Sequence, residues 1–122
     1  MVDTNILVSA LVPQRGEQHL AAIALAEIES PYVVCEAVLV ETCWVLSASY
    51  GADNNRIATL LTGVLSSGQL TTWDPRLVER TLTLLAERPA LGIVDCLLCA
   101  RSLEGDTVLT FDRRLARTIQ ES

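Results

Sequence analysis

Tyr32-Val33-Val34-Cys35-Glu36-Ala37-Val38-Leu39-Val40-Glu41-Thr42-Cys43-Trp44-Val45-Leu46 changes character at Glu36. The first four residues are β-branched or aromatic for the most part, the composition of a short strand. From Glu36 a mostly apolar run continues to about Tyr50 and meets Gly51, the residue type that tolerates the left-handed turn closing a helix. A strand feeding straight into a helix is the building unit of a parallel sheet. Inside the helix stands one carboxylate, Glu41, with apolar neighbours on both sides.

The same unit recurs on either side. Residues 1–3 form a short apolar start ending at Asp3, and Thr4 and Asn5 can cap a helix toward Val12. Pro13 and Gly16 mark a loop. Leu20, Ile23, Ala24 and Ile28 recur at helical spacing from Glu17 to Glu29, until Ser30-Pro31 stops the run. Asp53 or Asn54 opens a helix to about Ser67, and Leu70 to Trp73 is a further strand. Asp74-Pro75 pairs a cap with proline at the first helical position, starting a helix to about Glu87. After the Pro89–Gly92 connector come a helix from Ile93 to Leu103, a strand from Thr107 to Phe111, and a terminal helix from Asp112 to about Gln120. Strands alternating with helices predict an α/β fold whose parallel sheet is covered on both faces.

The 122 residues suit one domain, 1–122, with no repeat or linker. A chain of this size buries roughly two thirds of its unfolded surface. Half the residues are hydrophobic, which argues against disorder, and no apolar run is long enough to span a bilayer. With no signal-peptide pattern ahead of the first strand, the expected location is cytoplasmic. The formal charge of −6 argues against a broad basic surface for nucleic acid, but not against a nuclease whose acidic site is filled by metal. All nine basic residues are Arg. Guanidinium favours bidentate phosphate contacts, although genome composition is the simpler explanation of the bias. Cys96-Leu97-Leu98-Cys99 has CxxC spacing but lies in an apolar helical pattern with no partner motif. Small buried thiols are therefore expected there, rather than zinc or redox chemistry.

Four acids stand out by context: Asp3, Glu41, Asp95 and Asp112. Each lies at a strand end or within an apolar run, as in Gly92-Ile93-Val94-Asp95-Cys96-Leu97-Leu98 and Thr110-Phe111-Asp112. Carboxylates are rarely drawn inward unless paired or bound to metal. Two of them about 5 Å apart would repel by roughly 3 kcal/mol at an effective dielectric near 20. A divalent cation between them reverses that sign, and an all-oxygen donor set points to Mg²⁺ or Mn²⁺. Sites in open α/β sheets form beyond the carboxyl ends of the strands, where Asp3 and Asp112 both fall. Each acid also has a plainer explanation. Asp3 and Asp112 can be helix caps, Asp95 a first-turn acid favoured by the helix dipole, and Glu41 part of a solvated face.

Taken together, Asp3-Thr4-Asn5, Glu41 ahead of Trp44-Val45-Leu46, the Asp95 segment and Thr110-Phe111-Asp112 are similar to the pattern of PIN-domain ribonucleases. More narrowly, the chain resembles the VapC-type toxins of bacterial toxin–antitoxin modules. The resemblance implies a PIN-like three-layer fold, with a central parallel sheet of about four to five strands flanked by helices. It implies a Mg²⁺- or Mn²⁺-dependent endoribonuclease hydrolysing RNA phosphodiester bonds, with Asp3, Glu41, Asp95 and Asp112 as metal-binding catalytic acids. Thr4, Asn5 and Thr110 would be their supporting hydrogen-bond partners. A cognate antitoxin protein and a homodimer are implied as partners, and no membrane.

Arg15, Arg113 and Arg114 are candidate RNA phosphate contacts, though Arg113, Arg114 and Arg117 equally suit a solvated helix face. Trp44 reads as core, and His19 as a surface or packing residue. Two other classes compete. A phospho-receiver domain shares the length, the alternation and an acidic Mg²⁺ pocket, but needs a lysine, and this chain has none. A noncatalytic PIN-like interaction module would not need intact acids at all four positions.

Overall fold

The computed structural model describes residues 1–28 and 31–122. Glu29 and Ser30, where the second helix was expected to stop, lie outside the described residues. Helix α1 spans Thr4–Leu11, a 3-10 turn spans Pro13–Arg15, and α2 spans Glu17–Ala26. Strand β1 is Tyr32–Val33, followed by α3, Glu36–Tyr50, and α4, Asn54–Ser66. Strand β2 is Leu70–Thr71, followed by α5, Pro75–Glu87, α6, Ile93–Leu103, and α7, Arg113–Glu121.

The helix boundaries follow local chemistry. Orphan amides at four helix starts are met by aspartate side chains. Asp3 accepts from the Ile6 amide at 3.0 Å, Asp53 from Arg56 at 2.8 Å, Asp74 from Leu77 at 3.2 Å, and Asp112 from Arg114 at 2.9 Å and Leu115 at 3.1 Å. Gly51 closes α3 at φ 65, and its amide donates to the Ser47 carbonyl while the next amide, Ala52, reaches back to Leu46. That paired closure requires the left-handed conformation that glycine adopts without strain.

β1 and β2 run parallel, Tyr32 beside Leu70 and Val33 beside Thr71. Tyr32 and Val34 donate toward the β2 side, while the Val33 carbonyl accepts from the Val2 amide at 3.0 Å on the opposite side. Residue 2 therefore lies along the free edge of β1, where a first strand was expected, but contributes a single ladder bond. The helices form a continuous packed series: α1 against α2 and α3, α3 against α4 and α6, α4 against α5, α5 against α6, and α6 against α7. Leu7 and Val8, Val34, Leu46, Leu61, Leu85 and Cys96 meet in one core.

The expected sheet of four to five strands is not formed: among the described residues it has two strands. Thr107–Phe111, expected as the fourth strand, carries no regular structure. Leu109 is 92 % exposed and Phe111 is fully exposed. Strand propensity describes how a residue fits a paired, half-buried surface, so a β-favouring run without a neighbouring ladder stays irregular. The remaining helices match their sequence signals closely. No helix among the described residues is long and apolar enough to cross a membrane.

Candidate active site

Three of the four singled-out acids sit at helix N-termini. Asp3 caps α1, Asp112 caps α7, and Asp95 lies in the first turn of α6. Positive helix ends favour negative charge at these places. Glu41 projects from the exposed side of α3, opposite the buried Leu39, Cys43 and Leu46. The four supporting helices are consecutive neighbours, α1 against α3, α3 against α6, and α6 against α7.

The carboxylates themselves are not gathered. Among the described residues no three Asp, Glu, His or Cys side chains lie close enough together to hold a metal ion. Asp3, Asp112 and Glu41 are exposed, and Asp95 is half-buried. The chemistry of the donors nevertheless fits a hard divalent cation. The one ion pair among the described residues joins Arg101 to Glu36 at 3.0 Å, so no basic side chain neutralises Asp3, Glu41, Asp95 or Asp112. The capping bonds at Asp3 and Asp112 fall on Oδ1 in both cases, leaving Oδ2 uncommitted. The plainer reading of these two residues as caps is thus correct, and compatible with a second task.

Around the acids, Thr110 Oγ1 accepts from the Asp112 amide at 2.9 Å and fixes the turn that presents Asp112. Asn5, in the first turn of α1, accepts from Arg15 Nη1 at 2.6 Å. Arg15 also donates from Nη1 to Ser9 Oγ at 3.1 Å and from Nε to the Tyr50 hydroxyl at 2.9 Å. Its guanidinium carbon is 5.8 Å from the Tyr50 ring centre, near the outer limit for a cation–π contact, so the hydroxyl bond is the firmer tie. Thr4 makes no side-chain hydrogen bond among the described residues, and the Arg113 and Arg114 side chains are exposed on α7.

Some sequence expectations change. Trp44 is 71 % exposed rather than core, because it follows Glu41 by one helical turn and shares its outward face. Tyr50 and Ser9 were not singled out, since nothing local in a sequence reports a contact across 35 positions. His19 packs as expected, with Nδ1 donating to the Ser9 carbonyl at 2.9 Å. Cys43, Cys96 and Cys99 are buried free thiols. Burial raises all three, Cys43 to about 12 and Cys96 to about 11, with neighbouring thiols adding to the effect at Cys43 and Cys96. Such groups are neither nucleophiles nor ready metal ligands near neutrality.

No individual characterised protein and no solved structure shows significant similarity to the chain. The family model of the PIN domain matches residues 1–120. PIN domains are α/β nucleases that typically work with divalent metal ions, and a match over nearly the whole sequence places this chain in the PIN-domain family.

Proposed function

We propose that the protein is a Mg²⁺- or Mn²⁺-dependent endoribonuclease, with Asp3, Glu41, Asp95 and Asp112 as its metal-binding acids. The observation that carries this reading is the placement of four unpaired carboxylates on helices that pack in unbroken succession. When bound, the metal supplies a hydroxide-like nucleophile from water and stabilises charge at the phosphate and leaving oxygen. Asp3, Asp95 and Asp112 would hold such an ion through their carboxylate oxygens, and Glu41 would either join them or orient the attacking water. Thr110 fixes the backbone of Asp112, and Asn5 ties Arg15 to the helical turn that Asp3 caps. Arg113 and Arg114 offer exposed guanidinium groups to RNA phosphates.

A shared metal site would require these acids to draw closer, since no three of them are grouped among the described residues. A filled site would draw Thr107–Phe111 toward residues 1–3, where the run could gain the strand neighbour it lacks among the described residues. Support comes from the alternation of Leu109 and Phe111, both left in solvent. Burying each gains about 1.5–3 kcal/mol. Cation binding and strand docking then favour each other, because each draws the same carboxylates together.

A toxin role within a type II toxin–antitoxin system is the finer reading, with a cognate antitoxin and a homodimer as partners. Its support is a cleft of about 350 Å³ lined by Asp3, Val2 and Ile6 together with Ala22 and the exposed Ile23 and Leu25 of α2. The net charge of −6 suits a basic inhibitory peptide.

The competing reading, a noncatalytic interaction module, is favoured by the lack of a closed ligand set among the described residues. A cleavage assay on single-stranded RNA separates the two. The expected result is cutting with Mg²⁺ or Mn²⁺, loss with EDTA, and loss in Asp95→Asn at unchanged fold. Cutting by Asp95→Asn at the parent rate removes the site assignment, and a parent protein that never cuts favours the module.

A further inference from the structure

Among the described residues two arginines have side-chain hydrogen bonds, and they are held differently. Arg101 meets a carboxylate, Glu36, which cancels its charge. Arg15 meets three neutral acceptors, Asn5 Oδ1, Ser9 Oγ and the Tyr50 hydroxyl, and no acid. Ser9 is 3 % exposed, so the guanidinium rests on a buried anchor while the side chain as a whole stays half-exposed. The three bonds use the Nε donor and both Nη1 donors. The two Nη2 donors are left without a protein partner among the described residues, on a group whose position is already set. A guanidinium is always charged and its planar fork matches phosphate oxygens. Three elements meet at this point: α1 through Asn5 and Ser9, the 3-10 turn through Arg15, and the end of α3 through Tyr50. Asn5 lies in the same first helical turn that Asp3 caps.

We propose that Tyr50 and Ser9 fix Arg15 as a preorganised, uncompensated phosphate-binding group that holds a phosphate flanking the one cut beside Asp3. Arg15 thereby becomes a substrate-binding residue, and Tyr50 a positioning residue acting through it. Preorganisation matters because the side-chain entropy of a long arginine is already lost before RNA arrives. The role resides in uniform binding of substrate and transition state, so it moves KM and not kcat.

The inference rests on the nuclease reading, and the test keeps the two apart. Binding of a short single-stranded RNA to Asp95→Asn protein is measured over a salt series, beside the same protein carrying Arg15→Ala, Arg15→Lys or Tyr50→Phe. Cleavage kinetics are measured with the same three changes in the otherwise native chain. Arg15→Ala is expected to weaken binding about tenfold and to flatten the salt dependence by one phosphate contact, a slope change of about 0.7. KM should rise with kcat nearly kept. Arg15→Lys should keep the salt slope while losing part of the affinity, and Tyr50→Phe should weaken binding about threefold with the salt slope intact, since it removes a tether and no charge. Unchanged affinity and slope in a folded Arg15→Ala, alongside normal cleavage by the parent, overturn the phosphate role and leave the nuclease reading standing. A fall in kcat at constant KM overturns it too, by showing a structural contribution. A parent chain that neither binds nor cuts RNA overturns both.

Discussion

Asparagine at Asp3 or Asp112 separates two tasks that one side chain performs. Asparagine caps a helix about as well as aspartate, but it is a neutral and weaker ligand for a hard cation. Asp112→Asn should therefore keep its thermal midpoint and lose metal-dependent cleavage. Asp112→Ala should lose both, with about 0.5–2 kcal/mol of stability removed along with the cap. Parallel melting curves and cleavage rates check this, and equal stability of the two variants would show that the cap contributes nothing. A second residue-scale prediction concerns Thr42, whose hydroxyl is fully buried on α3 without a partner among the described residues. Replacing it with valine removes an unsatisfied polar group at almost constant shape, and should stabilise the protein by about 1–2 kcal/mol in denaturant unfolding. At this scale the sequence exposed the acids and caps, because their signals are local. It misplaced Trp44, since an apolar run does not say which side of the helix faces its neighbours. It was silent on the Arg15–Tyr50 contact, which arises only when α3 folds back on α1.

Helices and strands differed in how far they could be read. α3 and α6 were delimited from their apolar runs and the residues that close them, without a capping side chain, because a helix makes its own hydrogen bonds. Strands borrow theirs, so Tyr32–Val33 and Leu70–Thr71 survive as a mutual pair while Thr107–Phe111 remains unpaired. A double change of Leu109 and Phe111 to serine should cost the metal-free protein less than about 0.5 kcal/mol, as for other exposed substitutions. In saturating Mn²⁺ the same change should cost more, because the docked strand loses its apolar face. Equal cost with and without metal would separate docking from cation binding. The apolar interiors of α3 and α6 also fix the behaviour of their thiols. Cys43 and Cys96 ionise in the fold only near 12 and 11, against an ordinary value of 9.0. Protons are thus retained by the native state and lost by the unfolded one between these values, so stability falls as pH rises through that window. The contribution is complete below the unfolded value. Denaturant midpoints at neutral pH and at about pH 10.5 should show the decline, and replacing Cys43 with alanine should reduce it. Under native conditions the half-buried Cys35 should be the first thiol to react with an aromatic disulfide reagent.

Across the whole molecule, the net charge of −6 and acids without ion-pair partners among the described residues leave the metal-free protein electrostatically self-repelling. Cation binding relieves that repulsion and, by mass action, adds about 2.7 kcal/mol at a hundredfold excess over the dissociation constant. The thermal midpoint should rise on adding Mn²⁺ and fall back with EDTA. Fold class and family were legible in the alternation of elements and in four separated motifs. The expected grouping of the acids was not: among the described residues no three of them lie close enough to hold a metal ion, and local signals do not encode packing between distant segments. Calorimetric titration of Mn²⁺ into the native protein and into Asp3→Asn, Glu41→Gln, Asp95→Asn and Asp112→Asn examines that convergence at its source. Saturable binding to the native chain, weakened at least about tenfold by each Asp→Asn change, is the expected result. Binding left intact by all four changes, or absent from the native chain, would contradict a shared carboxylate site.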